Sequence, residues 1–380
     1  MKSILTISAM TLFLLAGCVG NKQQVDDFIT VDVTANYPEK ELILQDILNV
    51  EYVALETSEE FITHGILESV GKEIMLVRNR TDGNIFVFDR AGKGLRKINR
   101  LGQGAEEYAQ ISDIILDEAK KEMFVVDYPA RKILVYDLYG KFNRSFKFAD
   151  TSYYNNLFDY DEDHLICFKS YTTPKENEKA CHLIVSKQDG SVTHEIQIPI
   201  TEVETPVVTK DELTVMPEFY QTFPNKGNWA LVNTSSDTVY NYLPDGRLIP
   251  FIARTPSIHS MEVEVFLFPS ILTDRYYFMR AMKKELNFKT FKGFPSTDLI
   301  YDRQEKALFQ YVMYNSDFSD KTEVYLNLKP VNQEIIATQS FNASDLIDAN
   351  GKGQLKGNLK EIVANLEEES NPVIMLVTLK

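Results

Sequence analysis

From about residue 41 onward the chain is a succession of short β-branched and aromatic runs separated by turn signals, with little helical periodicity. Such runs predict strands. One run recurs: Ile85-Phe-Val-Phe-Asp-Arg-Ala-Gly-Lys93 returns as Ile133-Leu-Val-Tyr-Asp-Leu-Tyr-Gly-Lys141, displaced by 48 residues. Weaker copies are His182–Gly190, Thr238–Gly246 and Leu299–Lys306. Each copy runs into a tight turn, and each follows a second strand: Glu73–Val77, Met123–Val126, Leu165–Phe168, Trp229–Val232 and Tyr276–Met279. A period near 48 that holds four strands has the size of one propeller blade. One blade cannot cover both its faces, whereas radial stacking buries them and ring closure removes most free edges.

Five copies are visible, and the ends supply a sixth. Val50–Leu55 alternates and lacks a blade of its own, while Pro372–Leu379 is a strong final strand. The predicted fold is all-β: a six-bladed propeller over 41–380, closed by N- and C-terminal strands. Seven blades or two β-sandwiches account for the repeat less economically. Leu355, Leu359, Ile362, Val363 and Leu366 recur at helical spacing, predicting an amphipathic helix over about 355–369 that Asn371-Pro372 ends. It forms a short helical insertion in the last blade, read as packing over one end of the barrel, with a partner-binding helix as the other reading.

The N-terminus follows a different pattern. Lys2 precedes an apolar run, Ile4–Ala16, that is too short to span a bilayer of roughly 30 Å but suits a signal peptide. Leu15-Ala16-Gly17-Cys18 reads as a lipobox, in which the Cys18 thiol takes a diacylglycerol and the peptide is cut before it. Residues 1–17 are thus the signal peptide, 18–40 a polar tether, and the membrane a partner through the lipid. The expected location is the cell envelope, on either face of the outer membrane.

A hydrophobic content of 44% is ample for a large core. The net charge of −15 argues against nucleic acid as a partner. Cys167 and Cys181 flank a predicted hairpin at similar distances from its turn, and an oxidising compartment favours a disulfide between them. Two buried free thiols are the other reading.

Several stretches resemble the six-bladed β-propeller lipoproteins, related to NHL-repeat proteins, of gut-type Gram-negative bacteria. They are Leu44–Leu48 with Glu51–Thr57, Leu101–Tyr108, Ser236–Tyr240 and Asn371–Ile374. In the Gly-rich loop Ala105 and Glu106 replace the usual Pro-Gly. The resemblance implies fold and export, and brings no catalytic residues with it.

Candidate chemistry is sparse. In a propeller the links between blades share a face with the connections between second and third strands. That face is expected to gather Arg78, Arg80, Arg100, Tyr108, Tyr128 and Arg131. Arginine can hold a carboxylate bidentately and tyrosine can stack on a sugar or peptide; the blander reading pairs these arginines with nearby acids on solvated loops. Asp159-Tyr-Asp-Glu-Asp163 has oxygen ligands but lacks the glycine and distal glutamate of a calcium loop, and reads as a solvated turn. The five histidines show no metal-ligand spacing, and no motif calls for a metal or cofactor. The expected role is a binding or scaffolding module for a glycan, peptide or partner protein. The alternative is a hydrolase or lyase acting on a saccharide or lactone in the central funnel.

Overall fold

The computed structural model describes residues 28–149, 152–171, 180–324 and 329–380. The expected signal peptide, Cys18 and the first part of the tether lie outside the described residues. Six sheets form six blades around an axis. Blade 1 contains Ile66–Val70, Ile74–Arg78, Asn84–Asp89 and Gly94–Asn99. Blade 2 contains Ile111–Asp117, Glu122–Asp127, Lys132–Asp137 and Phe142–Lys147. Blade 3 contains Tyr153–Asp159, His164–Ser170, Cys181–Ser186 and Val192–Ile196. Blade 4 contains Thr222–Asn225, Asn228–Leu231, Thr238–Tyr242 and Leu248–Thr255. Blade 5 contains Val265–Leu272, Tyr276–Lys283, Ser296–Asp302 and Ala307–Tyr314. The recurring sequence is the third strand of each of these five blades.

Blade 6 takes strands from both ends of the chain. Val373–Leu379 lies between Ile335–Phe341 and Leu48–Ala54, antiparallel to both, in a register that pairs Ile374 with Val53 and Leu376 with Glu51. The expected closure is therefore present.

The strands read as apolar runs because stacked blades cover both of their faces. Met75–Val77 and Ile85–Phe88 are all inaccessible to solvent, and burying one such phenylalanine contributes roughly 2 kcal/mol. Six apolar clusters lie between successive blades, and the closing one joins Val53, Ile374 and Leu376 of blade 6 to Val77 and Phe86 of blade 1. The Asp and Gly of the repeat have a local cause. The Asp89 carboxylate accepts from the backbone N–H of Ala91 and Lys93, both at 2.9 Å, and Asp137 does the same for Tyr139 and Lys141. Gly92 follows with φ 86°, and a Cβ there would stand 2.1 Å from the Ala54 carbonyl of blade 6. The turn of one blade thus rests directly on the outer strand of its neighbour.

Three expectations are corrected. The segment read as tether includes two strands: Ile29–Asp32 and Glu39–Ile43 lie parallel on the outer edges of blades 4 and 5. Parallel edge strands show none of the hairpin spacing that marks the blades, which hides them from a period search. Lys40 fastens the second to Asp302 at 2.8 Å. Second, the insertion between Ile335–Phe341 and Val373–Leu379 holds two short helices, Ala343–Gly351 and Gly357–Val363, instead of one over 355–369. Leu346, Leu355, Leu359 and Val363 are buried in the cluster between blades 5 and 6. Asn371 ends the excursion: its Nδ2 donates to the carbonyls of Glu56 and Phe61, both at 2.7 Å. Third, Cys167 pairs with Leu183 and Cys181 with Lys169, so the cysteines are diagonal neighbours. Both cysteines are buried and no disulfide joins them, which is the second of the two readings. The hairpin is centred one residue later than its symmetry suggested, and that small slip separates them by one diagonal step.

Candidate functional site

The innermost strands line the axis, so a polar residue within one of them faces the channel. Glu68 of blade 1 and Asp113 of blade 2 are such residues. The ammonium of Lys329 lies 2.9 Å from Glu68 and 3.0 Å from Asp113, and the Arg78 guanidinium reaches Glu68 at 2.7 Å. Burial is the largest influence on both acids. It pushes the Asp113 carboxyl up to about 6, against the pull of Lys329 and with the Glu68 charge adding to the rise. For Glu68 the charges of Lys329 and Arg78 outweigh burial and hold it below the usual carboxylate value. Of the two, Asp113 is thus the carboxyl that holds its proton more tightly and Glu68 the one that loses it more readily.

A cavity of about 650 Å³ adjoins this cluster, between the innermost strands of blades 1, 2 and 3 and the segment 329–334. Its mouth is built from the first turns of the blades, and three acids there, Asp117, Glu118 and Asp159, are engaged. The Glu118 carboxylate accepts from the backbone N–H of Lys72 and Glu73 at 2.7 and 2.8 Å, and Lys187 binds Asp117 and Asp159, each at 2.6 Å. Burial raises Asp159, against Lys187. The acidic run 159–163 is thus partly an inter-blade clamp, with 160–163 forming the expected turn. Gln333 spans from blade 6 to blade 4, accepting from the Gly227 N–H at 3.0 Å and donating to the Asn228 carbonyl at 3.1 Å.

The six residues expected on one face divide into separate groups. Tyr128, 38% exposed, stacks on Tyr153 with ring centroids 4.4 Å apart, and the Arg131 guanidinium lies 5.9 Å from the Tyr153 ring. Arg78 turns inward to Glu68. Arg80 is exposed on the connection 79–83. Arg100 and Tyr108 serve the fold: Arg100 Nε donates to the Gly140 carbonyl at 2.9 Å, and Tyr108 is fully buried. The Tyr108 hydroxyl donates to the Gly83 carbonyl at 2.7 Å and accepts from the Arg100 N–H at 2.9 Å. That bonding explains the Gly-rich loop as a lid over the blade 1 connection, with Glu107 capping the Gly104 N–H at 2.8 Å.

Glu68, Asp113, Lys329 and Tyr153 escaped the sequence reading. Glu68 and Asp113 carried a legible signal, namely an acid near the middle of each of two innermost strands almost one repeat apart. Among the described residues no cluster of three or more His, Cys, Asp or Glu side chains is arranged to hold a metal ion. No helix of the described residues is long and apolar enough to cross a membrane.

Comparison with known proteins agrees with this architecture. A protein of Bacteroides fragilis described as exported superposes with a TM-score of 0.61 at 14% identity, covering 93% of this chain and all of the other. A DUF4221-family protein of Bacteroides vulgatus gives 0.46 at 8% identity over 88% and 99% of the two chains. A streptogramin B lyase gives 0.36 at 10% identity over 72% and 94%. No curated protein matches the sequence. Residues 20–337 match the family described as a 6-bladed beta-propeller, DUF5128. With six blades in the structure and that match spanning most of the sequence, the chain belongs to this six-bladed β-propeller family.

Proposed function

We propose that this chain is an exported, lipid-anchored propeller that acts as a binding or scaffolding module, taking a glycan, a peptide or a partner protein on the face around Tyr128. The observation that carries the reading is the Tyr128–Tyr153 stack with Arg131 beside it, at the loop end of blades 2 and 3. A half-exposed aromatic pair offers a flat apolar platform, and the guanidinium adds a directed cation to its edge. The Leu15–Cys18 motif supports the anchor. Titration calorimetry against oligosaccharides and short peptides tests the platform. Tyr128→Ala should weaken the ligand found by about tenfold, the value of one aromatic stack, with melting unchanged. Equal affinity in the variant would place the site elsewhere.

One observation favours a second reading, a hydrolase or lyase acting on a saccharide or lactone in the funnel. Asp113, raised to about 6 beside the ionised Glu68, is the kind of carboxyl pair that moves protons near neutral pH. Turnover of such a substrate, abolished by Asp113→Asn and kept by Tyr128→Ala, would decide for the enzyme.

A further inference from the structure

Two β-hairpins stand apart from the ring over blades 4 and 5. One, Val208–Lys210 with Leu213–Val215, belongs to the link between blades 3 and 4. The other, Leu286–Asn287 with Lys292–Gly293, is inserted between the second and third strands of blade 5. Each is a two-stranded sheet of its own, so each keeps free backbone donors and acceptors along its edges. Between them runs an open groove of about 930 Å³.

The groove's charge runs against that of the molecule. In a chain of net charge −15, four lysines line it: Lys210, Lys284, Lys289 and Lys292. Lys284 is held by Glu204 and Glu264, at 3.4 and 3.3 Å. The other three are exposed and form no ion pair among the described residues; Lys210 Nζ stands over the Phe288 ring, 5.7 Å from its centroid. Glu285 is the one acid in the lining, while Asp211 and Glu212 sit at the tip of the first hairpin, outside it.

The groove's lining includes the apolar side chains of Val208, Leu286 and Phe288, and further apolar side chains are exposed on or next to the two hairpins, outside that lining. Leu213 is 43% exposed, Met216 63% and Phe291 63%. Phe291 holds φ 52°, a left-handed conformation that costs a side chain with a Cβ roughly 1 kcal/mol and that glycine or asparagine would adopt more cheaply. A strained, exposed aromatic beside unpaired cations contributes nothing to folding that a smaller residue would not.

We propose that this groove is a docking site for an extended acidic peptide segment of a partner protein, with apolar residues between its carboxylates. Its backbone would pair with a free hairpin edge, its acids would meet Lys210, Lys289 and Lys292, and its apolar residues would cover Phe291, Leu213 and Met216. An anionic polysaccharide would satisfy the lysines but leave the apolar residues and the strand edges without a role. The site lies away from Tyr128, so the two surfaces are separable by mutation.

The test uses the folded protein from residue 28 onward and a short fluorescein-labelled peptide of alternating glutamate and leucine, followed by anisotropy. Expected are saturable binding that weakens with salt, no binding of the lysine–leucine counterpart, and little competition by polygalacturonate. The triple variant Lys210→Glu, Lys289→Glu, Lys292→Glu should weaken the peptide by about tenfold or more, and Phe291→Ala by several-fold. Tyr128→Ala should leave it unchanged, which keeps this outcome independent of the proposed ligand face. All substituted side chains are exposed, so the melting temperature should be retained. Absence of saturable binding, equal binding of the lysine peptide, or binding indifferent to Phe291→Ala with full competition by polygalacturonate would each overturn the proposal.

Discussion

Lys329 holds two carboxyls together at the channel axis, and that arrangement sets what single substitutions should do. Its ammonium lies within 3.0 Å of both Glu68 and Asp113, which belong to different blades. Lys329→Met leaves two facing carboxyls with only Arg78 to offset them, and should cost about 3 kcal/mol in urea unfolding; an unchanged midpoint would mean the cluster adds nothing to the ring. Asp113 carries the pH dependence. Its folded value, raised to about 6 from an unfolded value of 3.8, means that the native state holds the proton more tightly. The stabilisation from this group is therefore complete below about pH 4 and is lost as pH rises through about 6. Glu68, lowered in the fold, works in the opposite sense and loses its contribution on acidification. Asp113→Asn cannot ionise and leaves Glu68 in place, so its stability relative to the parent should rise between about pH 4 and pH 7. Unfolding midpoints at the two pH values that move in parallel would contradict the raised carboxyl. Residue chemistry of this kind was only partly legible beforehand. Arginine and tyrosine signal a ligand and a structural bond equally well, and Tyr108 and Arg100 went to the second use because the Gly-rich loop needs both to close over Gly83.

The elements differ in how much each contributes to the ring, and the difference follows from register. Val373–Leu379 bonds a strand on either side, one from each end of the chain, and buries Ile374 and Leu376 against blade 1. Removing residues 372–380 would leave blade 6 split and two sheet edges open, so the shortened protein should lose its cooperative transition altogether and aggregate. The outer strands Ile29–Asp32 and Glu39–Ile43 each bond one neighbour only. A protein lacking residues 28–43 should melt at a lower temperature but still in one transition, detectable by near-ultraviolet circular dichroism. Two transitions, or loss of the near-ultraviolet signal, would show that the parallel edge strands are part of the closure. The closing pair was legible in the sequence because alternating Val50–Leu55 and apolar Pro372–Leu379 lacked other partners. The edge strands were not, because their pairing is parallel and lies more than 200 residues away along the chain. The two helices show the same limit: Leu355, Leu359 and Val363 announced helical spacing, yet Leu355 sits in the connection Lys352–Lys356 that divides the insertion, bridging to Phe318 instead of opening a helix.

For the whole molecule, the decisive relation is between the ring and the point where the chain enters it. The first described strand, Ile29–Asp32, lies on the outer edge of blade 4, so the anchor proposed at Cys18 would hold the propeller by its rim. Residues 18–28 reach at most roughly 35 Å when fully extended, which keeps the ring near the membrane that the proposed anchor implies. The net charge of −15 works against close contact with an anionic bilayer, leaving the acyl chains as the attractive term. Such attachment would leave the proposed Tyr128 platform and hairpin groove open to ligands at once. Cys18 precedes the first described strand, so the proposed anchor and the ring can be tested separately. Cys18→Ala should therefore move the protein from the membrane to the soluble fraction of the envelope while its melting curve stays that of the parent. Retention in the membrane fraction would refute the lipid anchor. A shifted melting curve with release would instead show that the N-terminal segment contributes to the ring beyond the edge strands.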